Sequence, residues 1–248
     1  MSLSHRRHGR PFTLVLAATA ALALGCGSDA TAPVTSPDAL LLNAAQVTSL
    51  DSSARVIVNA NPGDANLKSL LDSTLLVLAA GVTAKRLDVT TDLTTAPLYF
   101  VGVHRVLTHS TGSFSTWNMV GIDDPSHLAN LVEVSGFAPS STNIAPSSVT
   151  GTIGDGTGIV NALLLNVGAA GAVTEWSANS GSVSFSSDAA TTACPAGVVT
   201  PNLTCALETM HVHFSASATT GTGAAGARHA AVVTDVAVPA LRLTFTGP

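Results

Sequence analysis

Leu98-Tyr-Phe-Val-Gly-Val-His-Arg-Val-Leu107, then Thr111-Gly112, then Ser113-Phe-Ser-Thr-Trp-Asn-Met-Val120, is the stretch that decides the fold. The first run is dense in β-branched and aromatic residues. The second alternates small or polar residues with large ones at a period of two. Side chains in a strand point to opposite faces in turn, so both runs predict strands, and the Thr-Gly between them predicts a hairpin turn.

The same reading extends outward in both directions. Leu87-Asp-Val89 opens the β region, and Leu131-Val-Glu-Val134, Val149–Ile153, Ile159–Val167, Ala172–Ser177 and Ser182–Ser186 continue it. Met210–Ala218, Ala230–Val238 and Leu241–Phe245 close it, with Pro239 expected to mark an edge or a break. Gly154-Asp-Gly-Thr-Gly158 lacks the Lys-Ser/Thr of a phosphate loop and the carboxylates of a calcium loop, so it reads as a turn. Many short strands with frequent turns predict a mainly β protein over residues 84–248, an antiparallel β-sandwich or barrel.

Before it, residues 38–83 carry one or two N-terminal helices that pack on the sheet. Leu67, Leu70, Leu71, Thr74, Leu75 and Leu78 recur at helical spacing, Asp64 is an N-cap candidate and Gly81 a stop. Ser36 or Asp38 is the expected cap of a short segment through Val47, and Ala54–Asn59 reads as a strand or a helix end.

The first 37 residues carry an address. Arg6, Arg7 and Arg10, with no acid, precede a 13-residue apolar run from Phe12 to Leu24. This is the signal-peptide pattern, and the run is shorter than the ~20 residues of a membrane-spanning helix. Ala23-Leu24-Gly25-Cys26 resembles the lipobox of bacterial lipoproteins, with Ala23 where that family usually has leucine. The resemblance covers only the first 26 residues. It implies cleavage after residue 25, a diacylglyceryl group on Cys26, and a place in the cell envelope. Gly27, rather than aspartate, follows the cysteine, which by analogy favours an outer membrane where one exists. Residues 26–37, small and polar with two prolines, form a flexible tether.

Charge narrows the partners. Loss of residues 1–25 removes three of ten basic residues and none of the 15 acids, so seven oppose 15 and the net charge becomes −8. That excludes nucleic acid, whose affinity rests on cationic contacts with phosphate. It also leaves no polybasic patch for anionic lipid, so the acyl chains must carry the membrane attachment. Cys194 and Cys205, an even pair in an exported chain, predict a disulfide closing a small loop.

No Gly-x-Ser-x-Gly elbow and no His-Glu-x-x-His occurs, and Asp123, Asp124 and Glu133 read as solvated carboxylates. The expectation is a tethered β domain with a structural or ligand-binding role, non-catalytic and without a cofactor. Two other readings stand beside it. His211-Val-His213 places two imidazoles on one strand face, where a divalent metal could sit with a third ligand from His229, His104, His109 or Glu208. Against that, both histidines fit the polar side of a strand whose Met210, Val212 and Phe214 face a core. The other reading is a glycan-binding module, with Tyr99, Phe100, Trp117 and Trp176 as its aromatic face.

Overall fold

A computed structural model describes residues 38–124, 128–189, 192–194, 203–219, 226–232 and 234–247. The signal-like segment, Cys26 and the tether lie outside the described residues. In chain order the elements are β1 (Ala39–Leu40), α1 (Ala44–Ala60), α2 (Ala65–Ala79), β2 (Ala84–Leu87), β3 (Val89–Thr91), β4 (Leu98–His109), β5 (Gly112–Ile122), β6 (Asn130–Ser140) and β7 (Ser148–Ile153). They continue with β8 (Val160–Val167), β9 (Val173–Ser177), β10 (Ser180–Ser187), β11 (Thr192–Ala193), β12 (Leu203–Ala218), β13 (Arg228–Val232) and β14 (Val236–Thr246).

The helices begin where side chains can accept the free N–H groups of a first turn. Asn43 and Gln46 form a reciprocal capping box at α1, with Asn43 Oδ1 accepting from the Gln46 N–H at 3.0 Å. The cap is therefore Asn43, not Ser36 or Asp38. Asp64 caps α2 by accepting from the Leu67 N–H at 2.9 Å, and such caps are worth about 1 kcal/mol. Ala54–Asn59, ambiguous from its β-branched run, is helical. Leu50, Ala54 and Ile57 recur at helical spacing and are all buried, so burial of that stripe outweighs local β propensity. Gly81, at φ +78°, turns the chain out of α2 in a conformation that L side chains rarely adopt.

The 14 strands among the described residues belong to one sheet. Its main path runs β3-β13-β12-β14-β4-β5-β6-β8-β9, and β12 also carries β10, which in turn pairs with β7. The mainly β expectation is met. One pairing departs from antiparallel order: β14 lies parallel to β4, with Ala240 opposite Gly102 through Thr246 opposite Thr108. The chain's last strand has inserted between β12 and β4, a long-range choice that local pattern does not encode. Pro239 breaks nothing. It sits inside β14 opposite Thr209, immediately before the parallel ladder begins, so its missing N–H removes no bond from that second flank. The interruption falls instead between Val232 and Val236. β12 starts at Leu203, seven residues before the expected Met210, because β14 pairs with it along Leu203–Val212.

The sheet rolls over on itself. Trp117 on β5 stacks across the interior on Phe185 of β10, with ring centroids 6.4 Å apart. A Cβ on Gly136 of β6 would lie 2.6 Å from Val149 Cγ1 on β7 and 2.9 Å from Phe185, so glycine is what lets these layers meet. The inner core gathers Phe100, Trp117, Met119, Val134, Leu164, Phe185, Met210 and Phe214. A second core lies outside the roll, where Leu50, Ile57, Leu70, Leu71 and Leu78 of the helices meet Val101, Val103, Val120, Leu131 and Leu165. Cys194 and Cys205 form the expected disulfide, with Cα atoms 5.4 Å apart.

Candidate functional site

Strand parity sorts the candidate ligands. On β12, Glu208, Met210, Val212 and Phe214 face inward and are buried, while His211 and His213 point to the outer surface and are partly exposed. Each outer imidazole faces its own carboxylate: His211 Nε2 lies 3.1 Å from Asp188 Oδ2, and His213 Nδ1 lies 3.9 Å from Asp235 Oδ1. His229 bonds Ser217 Oγ through Nδ1 at 3.0 Å. Ser217 and His229 are direct neighbours in the β12–β13 ladder, so His229 stands four residues along the strand from His213, about 13 Å at the usual strand rise. That is too far for one shared metal ion. His109 pairs with Thr111 in the β4–β5 hairpin at 2.8 Å. Among the described residues no three His, Cys, Asp or Glu side chains converge to hold a metal.

His104 and Glu208 do come together, but inside the roll. His104 Nδ1 lies 2.8 Å from Glu208 Oε1, with both side chains almost wholly buried. Arg242 Nη1 is 3.8 Å from Glu208 Oε2 at the edge of this cluster, and the His104 ring stacks on Trp117 at 4.8 Å. The aromatics expected to form a glycan face are interior instead. Phe100 and Trp117 are fully buried, Trp176 is nearly so, and Tyr99 packs at the margin of the core beneath the helices. Asp123 accepts from the N–H groups of Asp124, Ala129 and Asn130 and so ties the end of β5 to the start of β6. Asp155 accepts from Thr157 N–H and Oγ, which makes Gly154–Gly158 a side-chain-stabilised turn.

The third carboxylate set aside by the sequence reading, Glu133, has a different setting. It lies on the outer face of β6, opposite Val120 and Leu163. Next to it on the same face runs a row across three strands: Asn118 on β5, Ser135 on β6, Asn161 on β8. The N-terminal half of α2 passes over this patch with Asn66, Ser69 and Leu70. Between helix and sheet is an open recess of about 360 Å³ lined by all of these residues and by Ser177. Asn118 Nδ2 donates to Glu133 Oε1 at 2.9 Å. Burial raises the Glu133 carboxyl from its ordinary 4.5 to about 7. Glu175 pushes the same way, while the Asn118 hydrogen bond and the Arg105 guanidinium oppose the shift. Arg105 is partly buried beside it, donating to Ser73 Oγ at 2.5 Å, and burial lowers its own pKa.

No protein-family model, curated protein or solved structure matches this chain. A concavity with several convergent polar groups and one strongly perturbed acid is the arrangement that marks binding sites in general. A sequence signal for Glu133 exists in retrospect: it stands in Leu131-Val-Glu-Val134, an acid in the middle of an otherwise apolar strand. A solvated position does not account for it once α2 covers that face.

The raised Glu133 pKa has a consequence for stability. The unfolded chain loses this proton near 4.5 and the folded chain near 7, so the folded state binds more protons in between. Stability contributed by this group is full below about 4.5 and falls as pH rises through about 7, by at most about 1.4 kcal/mol per pH unit. Glu133→Gln should flatten that decline. Urea midpoints of both proteins at pH 4.5, 6 and 8 measure it, and parallel pH profiles would contradict the assignment.

Proposed function

We propose that the protein is an exported lipoprotein held at the cell envelope through an acylated Cys26, and that its β domain binds a small polar ligand in the recess beneath α2. The recess carries the binding half of this reading. It gathers Asn66, Ser69, Asn118, Glu133, Ser135 and Asn161 from one helix and three strands around a cavity of about 360 Å³, a volume within the range of small-ligand sites. Rigid elements rather than loops supply most of the lining, which suits a preformed site. The basic start, the 13-residue apolar run and Gly25-Cys26 support the anchor half. Catalysis is not part of the proposal: Glu133 is bonded to the Asn118 amide rather than to a recess serine, and no metal-binding set converges among the described residues.

The anchor is tested by feeding labelled palmitate to cells expressing the full chain. Label should enter the wild type and disappear in Cys26→Ser; an unlabelled wild type overturns the anchor. The recess is tested by amide NMR of the full chain carrying Cys26→Ser, titrated with a mixed panel of sugars, amino acids, simple amines, sulfate and calcium. At least one member should shift the amides of residues 118, 133, 135 and 161 together. A panel that leaves all four unmoved rejects the recess as a binding site.

A further inference from the structure

The lining of the recess restricts the chemistry of its ligand. Amide side chains both donate and accept hydrogen bonds, and so do serine hydroxyls. Asn66, Asn118 and Asn161 supply the first kind, and Ser69, Ser135 and Ser177 the second. Glu133 belongs with them, because a carboxyl that titrates near 7 can be a donor or an acceptor at neutral pH. A phosphate or carboxylate ligand calls for cationic donors. The nearest guanidinium, Arg105, is already engaged with Ser73 and does not line the cavity. An ammonium ion calls for acceptors alone, whereas the Ser69, Ser135 and Ser177 hydroxyls and the Asn66 and Asn161 amides each carry a donor as well. The groups that match an ambivalent lining are hydroxyls, which are themselves both donors and acceptors.

A second feature lies on the same sheet face. Phe137 is two residues beyond Ser135 on β6, about 7 Å along the strand, and is 41% exposed. It is held against Phe114 of β5 with ring centroids 5.7 Å apart. Phe137 lies outside the recess lining, on its Ser135 side, where a partly exposed aromatic ring offers the apolar surface that one face of a sugar extending out of the recess seeks. The cavity is at the small end of ligand sites, so its size suits a mono- or disaccharide rather than a long chain.

We infer that the recess takes a neutral saccharide, with ring hydroxyls on Asn118, Glu133, Ser135 and Asn161 and one carbon–hydrogen face on Phe137. This rests on the recess being the binding site proposed above. It replaces the buried aromatics of the sequence expectation with a different set, mostly polar.

The test uses the full chain carrying Cys26→Ser and the amide NMR titration, with glucose, galactose, mannose, rhamnose and N-acetylglucosamine as separate probes. At least one sugar should shift residues 118, 133, 135, 137 and 161 as a group. Glu133→Gln, Asn161→Ala and Phe137→Ala should each weaken that sugar by about three- to tenfold, the worth of one hydrogen bond or a comparable contact. Unchanged spectra away from the recess certify that each variant is folded. Sugars that leave the recess amides unmoved, while an amine, sulfate, an amino acid or calcium moves them, overturn the saccharide inference and keep the recess. A recess that responds to nothing overturns both. A sugar that shifts the His211 and His213 strand instead overturns the inference by placing the site elsewhere.

Discussion

Trp117→Ala is expected to cost about 3–5 kcal/mol of folding stability, the range for truncating a large buried aromatic. Trp117 is fully buried in the inner core. Its ring lies between two others, His104 at 4.8 Å and Phe185 at 6.4 Å, both nearly parallel to it. Its indole N–H donates to Ser187 Oγ at 3.0 Å. The indole therefore links β5 to β4 on one side and to β10 on the other, and alanine would leave a void between layers that cannot close. Domains of this size are stable by only about 5–15 kcal/mol, so the loss is a large part of the total. Trp117→Phe keeps a ring but not the N–H and should lose less. Chemical denaturation reads both; a loss below about 1 kcal/mol for the alanine variant would mean that β5 and β10 do not pack face to face.

The buried pair yields the second large effect, and a sharper one because it has two signs. Glu208→Ala strands His104 and removes the partner of Arg242, and breaking a buried pair this way costs about 3–5 kcal/mol. His104→Leu should also be costly, because it leaves the Glu208 carboxylate with only Arg242, 3.8 Å away. The double variant His104→Leu/Glu208→Leu removes both desolvated groups. It should return to within about 1 kcal/mol of the wild type or exceed it, since apolar replacement of a buried pair is often neutral or stabilising. Arg242 sits at the margin, 31% exposed, and can turn to water. A double-mutant cycle measures the coupling. If the double variant is as unstable as the sum of the singles, His104 and Glu208 are not energetically coupled.

These effects also show how far the residues can be read one at a time. That His211 and His213 share a face, and that Glu208 points the other way, follows from counting by twos along one strand. The same count was available for β6, where Leu131, Glu133 and Ser135 alternate with the inward Val132 and Val134. What the count lacks is the identity of the neighbour on each face. Glu133 reads as solvated until α2 is laid over it, and Trp117 reads as an available aromatic until β10 closes above it. His104 and Glu208 are 104 residues apart, and nothing local in either segment announces the other.

Local signals did place most of the elements. Asp64 and Gly81 bound α2, Thr111-Gly112 turns β4 into β5, and Gly154–Gly158 turns β7 into β8. Each rests on interactions among residues close in the chain, so the residues themselves suffice to specify them. The cysteine pair also belongs here, since Cys194 and Cys205 are only 11 positions apart.

By itself, then, the sequence determined the mainly β class, the helical character of the region before it, the inward face of the Met210–Phe214 strand and the Cys194–Cys205 disulfide. Only the tertiary structure decided that β14 inserts parallel to β4, that the sheet rolls to bury Trp117 and the His104–Glu208 pair, and that α2 roofs the recess at Glu133. The physical reason is common to all three. Strand periodicity is a property of the backbone and is written into every few residues. Which strands pair, and what covers each face, depends on burial summed over segments far apart in the chain, and no short stretch carries that sum.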